Sequence, residues 1–137
     1  MTEAAQMQHP QVKGGVAPYL IIDGASAAID FYKRAFGAEE MARMPAEDGK
    51  RLMHAHIYIN GASVLLNDFF PEYGHPPQAP AGFNLHIQLD DVDSWWKRAV
   101  DAGCEVVMPL ETQFWGDRYG QLKDPFGVIW SLAQSAS

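Results

Sequence analysis

Cysteine is almost absent from this sequence, because Cys104 is the only one among 137 residues. A single thiol cannot form a disulfide within the chain, so the fold depends on its core, and a reducing compartment is expected. The sequence also lacks any run of about 18 apolar residues, and its first residues show no basic start followed by an apolar stretch. We therefore expect a cytoplasmic protein that does not enter a membrane.

Positive charge is scarce as well. Ten Lys and Arg residues stand against 17 Asp and Glu residues, which gives a net charge of -7. Nucleic-acid binding requires a concentration of basic side chains, so the charge disfavours that function and favours cationic over anionic small molecules. The hydrophobic content of 47% is sufficient for one core, and no change in composition divides the chain into two independent domains.

The predicted elements occur in the same order twice. Residues 16–22 predict a strand, and residues 24–38 predict a helix with Ser26 as its N-cap and Gly37 as its end. Three strand patterns follow, the last two joined by the hairpin signal Asn60-Gly61. After the Pro-rich loop 71–83, one strand, one helix and three strands are predicted again. We therefore predict two βαβββ modules, at 15–70 and 83–134, in one domain after a flexible tail of residues 1–14.

Two stretches carry a family resemblance: AIDFYKRAFGAE at 28–39 and FWGDRYGQLKDPFGVIWSLAQ at 114–134. With the repeated element order, they resemble the vicinal oxygen chelate superfamily, which includes glyoxalase I, extradiol dioxygenases and bleomycin-resistance proteins. Within it the chain is most similar to the PhnB-like, glyoxalase-like subgroup. The resemblance implies an α+β fold in which two tandem βαβββ modules form a curved, barrel-like mixed sheet with the helices on its convex side. It also implies a cleft and a homodimer.

The resemblance implies four metal-ligand positions, on the first, fourth, fifth and eighth strands. They fall on Ala17 (or Tyr19 if the register slips by two), Leu65, His86 and Ser131. Only His86 is a metal-ligand residue of the expected type, and one imidazole cannot hold a divalent ion against water. We therefore expect neither the glyoxalase-type metal site nor another cofactor.

A different metal site stays open as an alternative. His54 and His56 are two residues apart on a predicted strand and therefore share a face. If the strands bring them close to His86, three histidines could bind a divalent metal. Without a metal, His86 is the candidate catalytic base, with His56 as a second.

The remaining candidates come from strand alternation and from the C-terminal signature. Trp115, Arg118 and Tyr119 could offer a ligand a stacking surface, a cation and a hydroxyl group, although an Asp117–Arg118 ion pair would make Arg118 structural. Positions that alternate toward the cleft add further side chains. The predicted ligand-binding residues are Tyr19, His56, Asn67, His86, Trp115, Arg118, Tyr119 and Ser131.

Two functions are compatible with these residues. The first is a metal-free protein that binds a small molecule in an aromatic cleft, as the similarity to bleomycin-resistance proteins implies. The second is a metal-dependent or acid–base enzyme of the lyase, isomerase or dioxygenase type. The missing carboxylates at Leu65 and Ser131 favour the first, because they remove the known chemistry without an evident replacement.

Overall fold

The structure is a computed structural model that describes residues 10–136. The first module contains β1 (Tyr19–Ile22), α1 (Ala25–Phe36), β2 (Glu39–Pro45), β3 (Leu52–Ile59) and β4 (Ala62–Asp68). A short 3-10 turn, Pro71–Tyr73, lies in the connecting loop. The second module contains β5 (Leu85–Gln88), α2 (Val92–Ala102), β6 (Glu105–Thr112), β7 (Arg118–Lys123) and β8 (Ile129–Gln134).

Each module forms its own four-stranded mixed sheet. The strand orders are β1-β4-β3-β2 and β5-β8-β7-β6, with the first pair of each sheet parallel and the other two antiparallel. The predicted α+β class and the two tandem βαβββ modules are confirmed. The eight strands make two separate sheets and not one closed barrel, and the modules meet through contacts between α1 and α2.

The predicted N-terminal tail falls mostly outside the described residues, which begin at residue 10. Its end is hydrogen-bonded to the first module. The Tyr58 hydroxyl donates to the Gln11 carbonyl at 2.6 Å, and the Lys13 amide donates to Ser63 Oγ at 2.7 Å. We call residues 10–13 the N-terminal strap; it lies on the inner face of the first sheet.

Equivalent positions of the two modules cap the two helices. Asp68, at the end of β4, accepts the Gly24 and Ala25 amides at 2.9 Å each, and Gln134, at the end of β8, accepts the Val92 amide at 3.0 Å. These side chains satisfy amides that have no partner within a helix. The prediction of Ser26 as N-cap was wrong, because the cap comes from the neighbouring strand. The predicted end at Gly37, with φ 65, is confirmed.

One position in β3 departs from the predicted alternation. Alternation with the buried Ala55 and Ile57 predicts that Met53 packs against the helix, but Met53 is 52% exposed while Leu52 is 2% exposed. Met44 pairs with His54 and Pro45 pairs with Leu52, so Met53 is an extra residue on its strand. This β-bulge shifts the alternation by one position and turns Met53 out of the core.

Gly120 shows how closely α2 packs on the second sheet. A Cβ atom at this position would lie 2.6 Å from the ring of Trp96 and 2.9 Å from the Cα of Leu110. We expect Gly120→Ala to lower the free energy of unfolding by about 2 kcal/mol, because the ring and the β6 backbone would both have to move. Urea denaturation measures the change. Gly15→Ala has no such contact and no positive φ angle, so a loss at Gly120 no larger than at Gly15 would contradict the packing argument.

A buried hydrogen bond joins the modules, and it predicts that the stability of the fold decreases at alkaline pH. The Tyr32 hydroxyl on α1 donates to Asp124 Oδ2 at 2.6 Å. Burial, and secondly the charge of Asp124, raise the pKa of Tyr32 well above its usual value. The folded protein therefore keeps this proton at pH values where the unfolded chain loses it, so stability is complete below about pH 10 and falls above it.

The measurement is the free energy of unfolding of wild type and Tyr32→Phe between pH 9 and pH 11. We expect wild type to lose about 1.4 kcal/mol more per pH unit above pH 10 than the variant, because only wild type has the proton at residue 32 to lose. Tyr73→Phe, at an exposed tyrosine, should keep the wild-type slope. Equal slopes for wild type and Tyr32→Phe would show that Tyr32 ionises normally in the fold.

Among residues 10–136, neither helix has the length and apolar character that a membrane crossing requires.

Candidate ligand-binding site

The inner faces of the two sheets, turned away from the helices, are related by the internal repeat. Tyr19 of β1 pairs with Leu65 of β4, and His86 of β5 pairs with Ser131 of β8. These four residues are therefore the structural equivalents of the implied metal-ligand positions. By this equivalence the first position falls at Tyr19, the alternative register, because Ala17 precedes β1.

Each inner face carries a tyrosine–histidine pair that spans its first and third strands, in opposite order in the two sheets. In the first sheet, Tyr19 on β1 lies beside His54 on β3, with ring centroids 5.8 Å apart. In the second sheet, His86 on β5 lies beside Tyr119 on β7, with centroids 6.1 Å apart and ring planes inclined by only 24°. The two pairs span equivalent strands, so the internal repeat places an aromatic surface on the inner face of both sheets.

His86 is fixed by hydrogen bonds at both ring nitrogens. Nδ1 lies 2.8 Å from Ser131 Oγ, and Nε2 lies 2.7 Å from Gln88 Oε1. Nε2–H donates to Gln88, and the Ser131 hydroxyl lies between His86 Nδ1 and Asn84 Oδ1, which is 3.3 Å from it. The amide group of Gln88 in turn donates to Ser135 Oγ at 2.7 Å. The imidazole therefore keeps one orientation and presents its face, not a free nitrogen, to the open side of the sheet.

The order Ser131, His86, Gln88 resembles a nucleophile, a base and an orienting group. Ser131, however, has 0% of its surface exposed, so its hydroxyl oxygen is not accessible to a substrate carbonyl. The network therefore orients His86 and does not form a nucleophilic site.

Aromatic side chains extend from this pair toward the β6–β7 turn. Trp115, which is 51% exposed, packs edge-on to Tyr119 with centroids 6.0 Å apart. The Tyr119 hydroxyl accepts a hydrogen bond from Gln121 at 3.0 Å, which fixes the ring from its far end. We call His86, Tyr119 and Trp115 the aromatic row. It offers an aromatic ligand one parallel and one perpendicular ring surface.

A carboxylate lies next to the aromatic row. Glu111 on β6 pairs with Tyr119, so the two side chains share the inner face. The Glu111 carboxylate is exposed and forms no ion pair within residues 10–136. Glu105 and Lys123, also strand partners, add one charge of each sign. The face therefore carries a net negative charge.

Two predicted ligand-binding residues lie away from an open face. His56 is 2% exposed and bonds Ser63 Oγ at 2.7 Å beneath the N-terminal strap; burial, and secondly His54, lower its pKa. Arg118 points to the helix side and pairs with Asp93 of α2 at 2.7 Å, which lowers the Asp93 pKa. The predicted partner Asp117 was wrong. Strand alternation separates Arg118 from Tyr119.

Asn67 lies on the inner face of the first sheet, at the end of β4. Its amide group donates to the Met53 carbonyl at 3.3 Å, whereas its Oδ1 atom is buried without a hydrogen-bond partner within the described residues. Asn67 therefore belongs to the Tyr19–His54 face and not to the aromatic row.

The implied metal does not fit the side chains at its positions. Leu65 has no lone pair to donate, the Ser131 hydroxyl is bonded to His86, and the Tyr19 hydroxyl lies 2.8 Å from His54 Nδ1. Within residues 10–136 of one chain, His54, His56 and His86 do not come together as the three-histidine alternative requires. No three His, Cys, Asp or Glu side chains within residues 10–136 form a group that could hold a metal ion.

Some members of the site were missed by sequence reasoning. Gln88, Gln121 and Glu111 lie on the inner face of the second sheet. Gln88 could have been found, because it alternates with His86 on the same strand. Gln121 could also have been found, because it alternates with Tyr119 on β7. Glu111 depends on the register of β6, which two irregularities between Val106 and Glu111 alter.

Comparisons with known proteins give one family. The model of the Glyoxalase/Bleomycin resistance protein/Dioxygenase superfamily matches residues 12–132. An uncharacterised protein of Mycobacterium tuberculosis is 46% identical over 129 residues, which cover 90% of this chain and 75% of that protein.

Two solved structures are similar to this chain. TnmS3, an antibiotic binding protein from Streptomyces, is 26% identical with a TM-score of 0.65, and the match covers 95% of this chain and 99% of TnmS3. The PhnB protein of Bacillus cereus is 20% identical with a TM-score of 0.72, and the match covers 89% of this chain and 100% of that one. The second likeness shows the fold alone.

Proposed function

We propose that this chain, a member of the glyoxalase/bleomycin resistance protein/dioxygenase superfamily, binds a planar aromatic small molecule without a metal ion. This superfamily is the vicinal oxygen chelate superfamily that the sequence resembles. The ligand lies against the aromatic row on the second sheet. The protein acts by sequestering this molecule and not by transforming it.

The proposal rests on one observation: His86, which occupies an implied metal-ligand position, forms part of a stacking surface. His86 has both nitrogens engaged by Ser131 and Gln88, and its face lies nearly parallel to Tyr119. An imidazole held in this way cannot donate to a metal without losing a hydrogen bond, whereas its ring face is available for stacking.

Two further observations support the ligand class. Glu111 gives the face an unpaired negative charge, and a cation over an aromatic ring gains additional attraction. The similar structure TnmS3 is described as an antibiotic binding protein. We therefore propose a cationic, planar ligand of the size of an antibiotic chromophore.

The test is a calorimetric titration with proflavine, a planar aromatic cation, with and without EDTA. We expect a dissociation constant of about 10 μM or lower that EDTA does not change, because stacking and cation–π contacts need no metal. Binding that occurs only after a divalent metal is added would overturn the metal-free proposal. Absence of binding up to about 1 mM would overturn the ligand class.

We also propose a homodimer, because the inner faces of both sheets are open in the single chain and expose Tyr19, Ile21 and Trp115 by 46%, 45% and 51%. A second copy that sets its second sheet opposite the first sheet would enclose the ligand between the two tyrosine–histidine pairs. Light scattering at micromolar concentration should give twice the mass of 15.2 kDa, and a monomer would contradict the proposal.

A second candidate function rests on the other tyrosine–histidine pair. The Tyr19 hydroxyl lies 2.8 Å from His54 Nδ1, and burial raises the Tyr19 pKa, so the phenol stays protonated and donates. A phenol and an imidazole on an open face could act as acid and base for an enzyme of the lyase or isomerase type. A turnover lost in both Tyr19→Phe and His54→Gln would support it, and a turnover kept in both would reject it.

A further inference from the structure

A hydrogen bond from the first module reaches the second module at the end of β5. Asn60, in the β3–β4 turn, donates from Nδ2 to the Gln88 carbonyl at 3.0 Å. In a parallel pair, every second residue directs its backbone groups away from the neighbouring strand. Gln88 is such a residue, because the next amide, that of Leu89, bonds the Ala133 carbonyl of β8. The turn of the first module therefore supplies the partner for a carbonyl on the edge of the second sheet.

The residue that accepts this bond also orients the imidazole of the aromatic row. Gln88 Oε1 lies 2.7 Å from His86 Nε2, and the Gln88 amide group donates to Ser135 Oγ at 2.7 Å. Asn60 therefore holds the backbone of Gln88, and the Gln88 side chain holds the ring of His86. Loss of the Asn60 bond would free this backbone and, with it, the ring that stacks beside Tyr119.

Asn60 is followed by a glycine, which makes its side-chain amide chemically labile. The Gly61 nitrogen can attack the Asn60 Cγ atom, ammonia leaves, and the resulting succinimide ring takes up water to give aspartate or isoaspartate. Glycine has no Cβ to hinder the attack, and a Cβ added at Gly61 would meet no atom within 4 Å. The Gly61 amide makes no hydrogen bond within residues 10–136. Both residues are exposed, so the reaction needs only water and a brief opening of the turn.

Deamidation would reverse the interaction with Gln88. A carboxylate accepts hydrogen bonds and does not donate them, so it would face the Gln88 carbonyl oxygen as a second acceptor. Asn60 also lines a cavity of about 470 Å³ between the modules, together with Glu39, Asp91 and Arg98. The two carboxylates form no ion pair within residues 10–136, whereas the Arg98 guanidinium already donates to two carbonyl groups at the end of α1. The new charge would therefore meet two like charges and one cation that is already engaged.

We propose that Asn60–Gly61 is a deamidation site that lowers the affinity of the aromatic row for its ligand. The amide form of Asn60 fixes Gln88 and His86 for stacking, and the carboxylate form does not. Hydrolysis of the amide is not reversed within the protein, so affinity declines as the molecule ages. Asn60 is a positioning residue, because it acts on the ligand only through Gln88. The inference rests on the proposed function, since it concerns the regulation of the same site.

The first experiment incubates the full-length protein in mildly alkaline buffer and follows each asparagine by mass spectrometry. We expect Asn60 to deamidate at least about 10-fold faster than Asn67 and Asn84, which are followed by residues with side chains. Proflavine affinity should fall in step with this conversion. Asn60→Gly cannot deamidate and keeps a favoured hairpin pair, so its affinity should not change during the incubation.

The second experiment measures proflavine affinity in freshly purified variants. Asn60→Asp reproduces the product and keeps the turn, because Asp-Gly is a favoured hairpin pair. We expect binding about 10-fold weaker than in wild type, and about 3-fold weaker in Asn60→Gly, which loses the donor without gaining a charge. Gln78→Glu makes the same change of amide to carboxylate at an exposed site in the connecting loop, and should stay within about twofold of wild type.

A spectroscopic readout separates positioning from a general loss of structure. The ¹⁵N shifts of the two His86 ring nitrogens report which nitrogen carries the proton. In wild type they should show the proton on Nε2, where Gln88 accepts it. In Asn60→Asp they should move toward the average of the two tautomers, while urea denaturation shows that the variant is folded.

Three outcomes would overturn the proposal. The first is deamidation of Asn60 no faster than that of Asn67 and Asn84. The second is wild-type affinity for proflavine in Asn60→Asp, and the third is unchanged shifts of the His86 nitrogens in that variant. Absence of proflavine binding in wild type would instead reject the proposed function, while the deamidation rates and the His86 shifts would still test the control by Asn60. The two failures are therefore distinguishable.

Discussion

Asp124→Ala is expected to lower the free energy of unfolding by about 4 kcal/mol, the largest effect of any substitution considered. The carboxylate is buried and accepts four hydrogen bonds, from the Tyr32 hydroxyl at 2.6 Å, the Trp130 indole at 2.9 Å and the amides of Phe126 and Val128 at 2.8 Å and 3.0 Å. Alanine would leave these donors buried without an acceptor, at about 1–3 kcal/mol each before relaxation. Small domains have a total free energy of unfolding of only about 5–15 kcal/mol, so the substitution would remove a large part of it.

The position of Asp124 explains the size of the effect. Its partners come from α1 of the first module and from β8 and the turn before it in the second, so one side chain connects the two halves. Urea denaturation measures the change. Asp117→Ala, which removes one exposed hydrogen bond to the Ala136 amide, should cost less than about 1 kcal/mol. A cost at Asp124 below about 1 kcal/mol would contradict the connecting role.

Tyr119→Leu is expected to weaken proflavine binding by about 30-fold, because Tyr119 lies at the centre of the aromatic row between His86 and Trp115. Loss of a central aromatic contact costs about 2 kcal/mol of binding free energy. Leucine keeps an apolar side chain and removes the ring, so the change isolates stacking.

The matched control is Tyr73→Leu, the same substitution at a tyrosine that is 75% exposed and lies in the first module's loop. It should leave proflavine affinity within about twofold of wild type, since it contacts no member of the aromatic row. A comparable loss in both variants would indicate nonspecific binding. Unchanged affinity in Tyr119→Leu would place the ligand elsewhere.

Elements set by local rules could be predicted from the sequence. The Asn60-Gly61 hairpin was expected, and the positive φ angles of 51 and 79 confirm it. Strand alternation predicted that His86 lies on the cleft side, and Ile87 and Leu89 are buried on the opposite side. Each of these depends on residues within a few positions of one another, where turn geometry and strand period decide the outcome.

Features that depend on pairing between strands could not be predicted in the same way. The bulge at Met53 inserts one residue into β3, and the alternation of residue types along the strand does not reveal this insertion. Arg118 was grouped with Tyr119 because they are adjacent in sequence, but the strand begins at Arg118 and places the two on opposite faces. The role of Asp124 involves Tyr32, which is 92 positions away. Such contacts arise from tertiary packing and not from local pattern.

The repeat explains why the site differs from a metal centre. Of the four positions, His86 and Ser131 bond each other, the Tyr19 hydroxyl bonds His54, and Leu65 is apolar. His86 and Tyr19 add ring surface to the inner faces. The fold is therefore retained while the chemistry that it presents changes.

The most direct test is a calorimetric titration of wild type and His86→Ala, each purified without chelator, with Mn²⁺, Ni²⁺, Zn²⁺ and Fe²⁺. The metal-free account predicts no one-to-one site that His86→Ala removes, because the His86 nitrogens are engaged by Ser131 and Gln88. One equivalent of metal bound with a dissociation constant of about 1 μM or lower in wild type, and lost in His86→Ala, would contradict it.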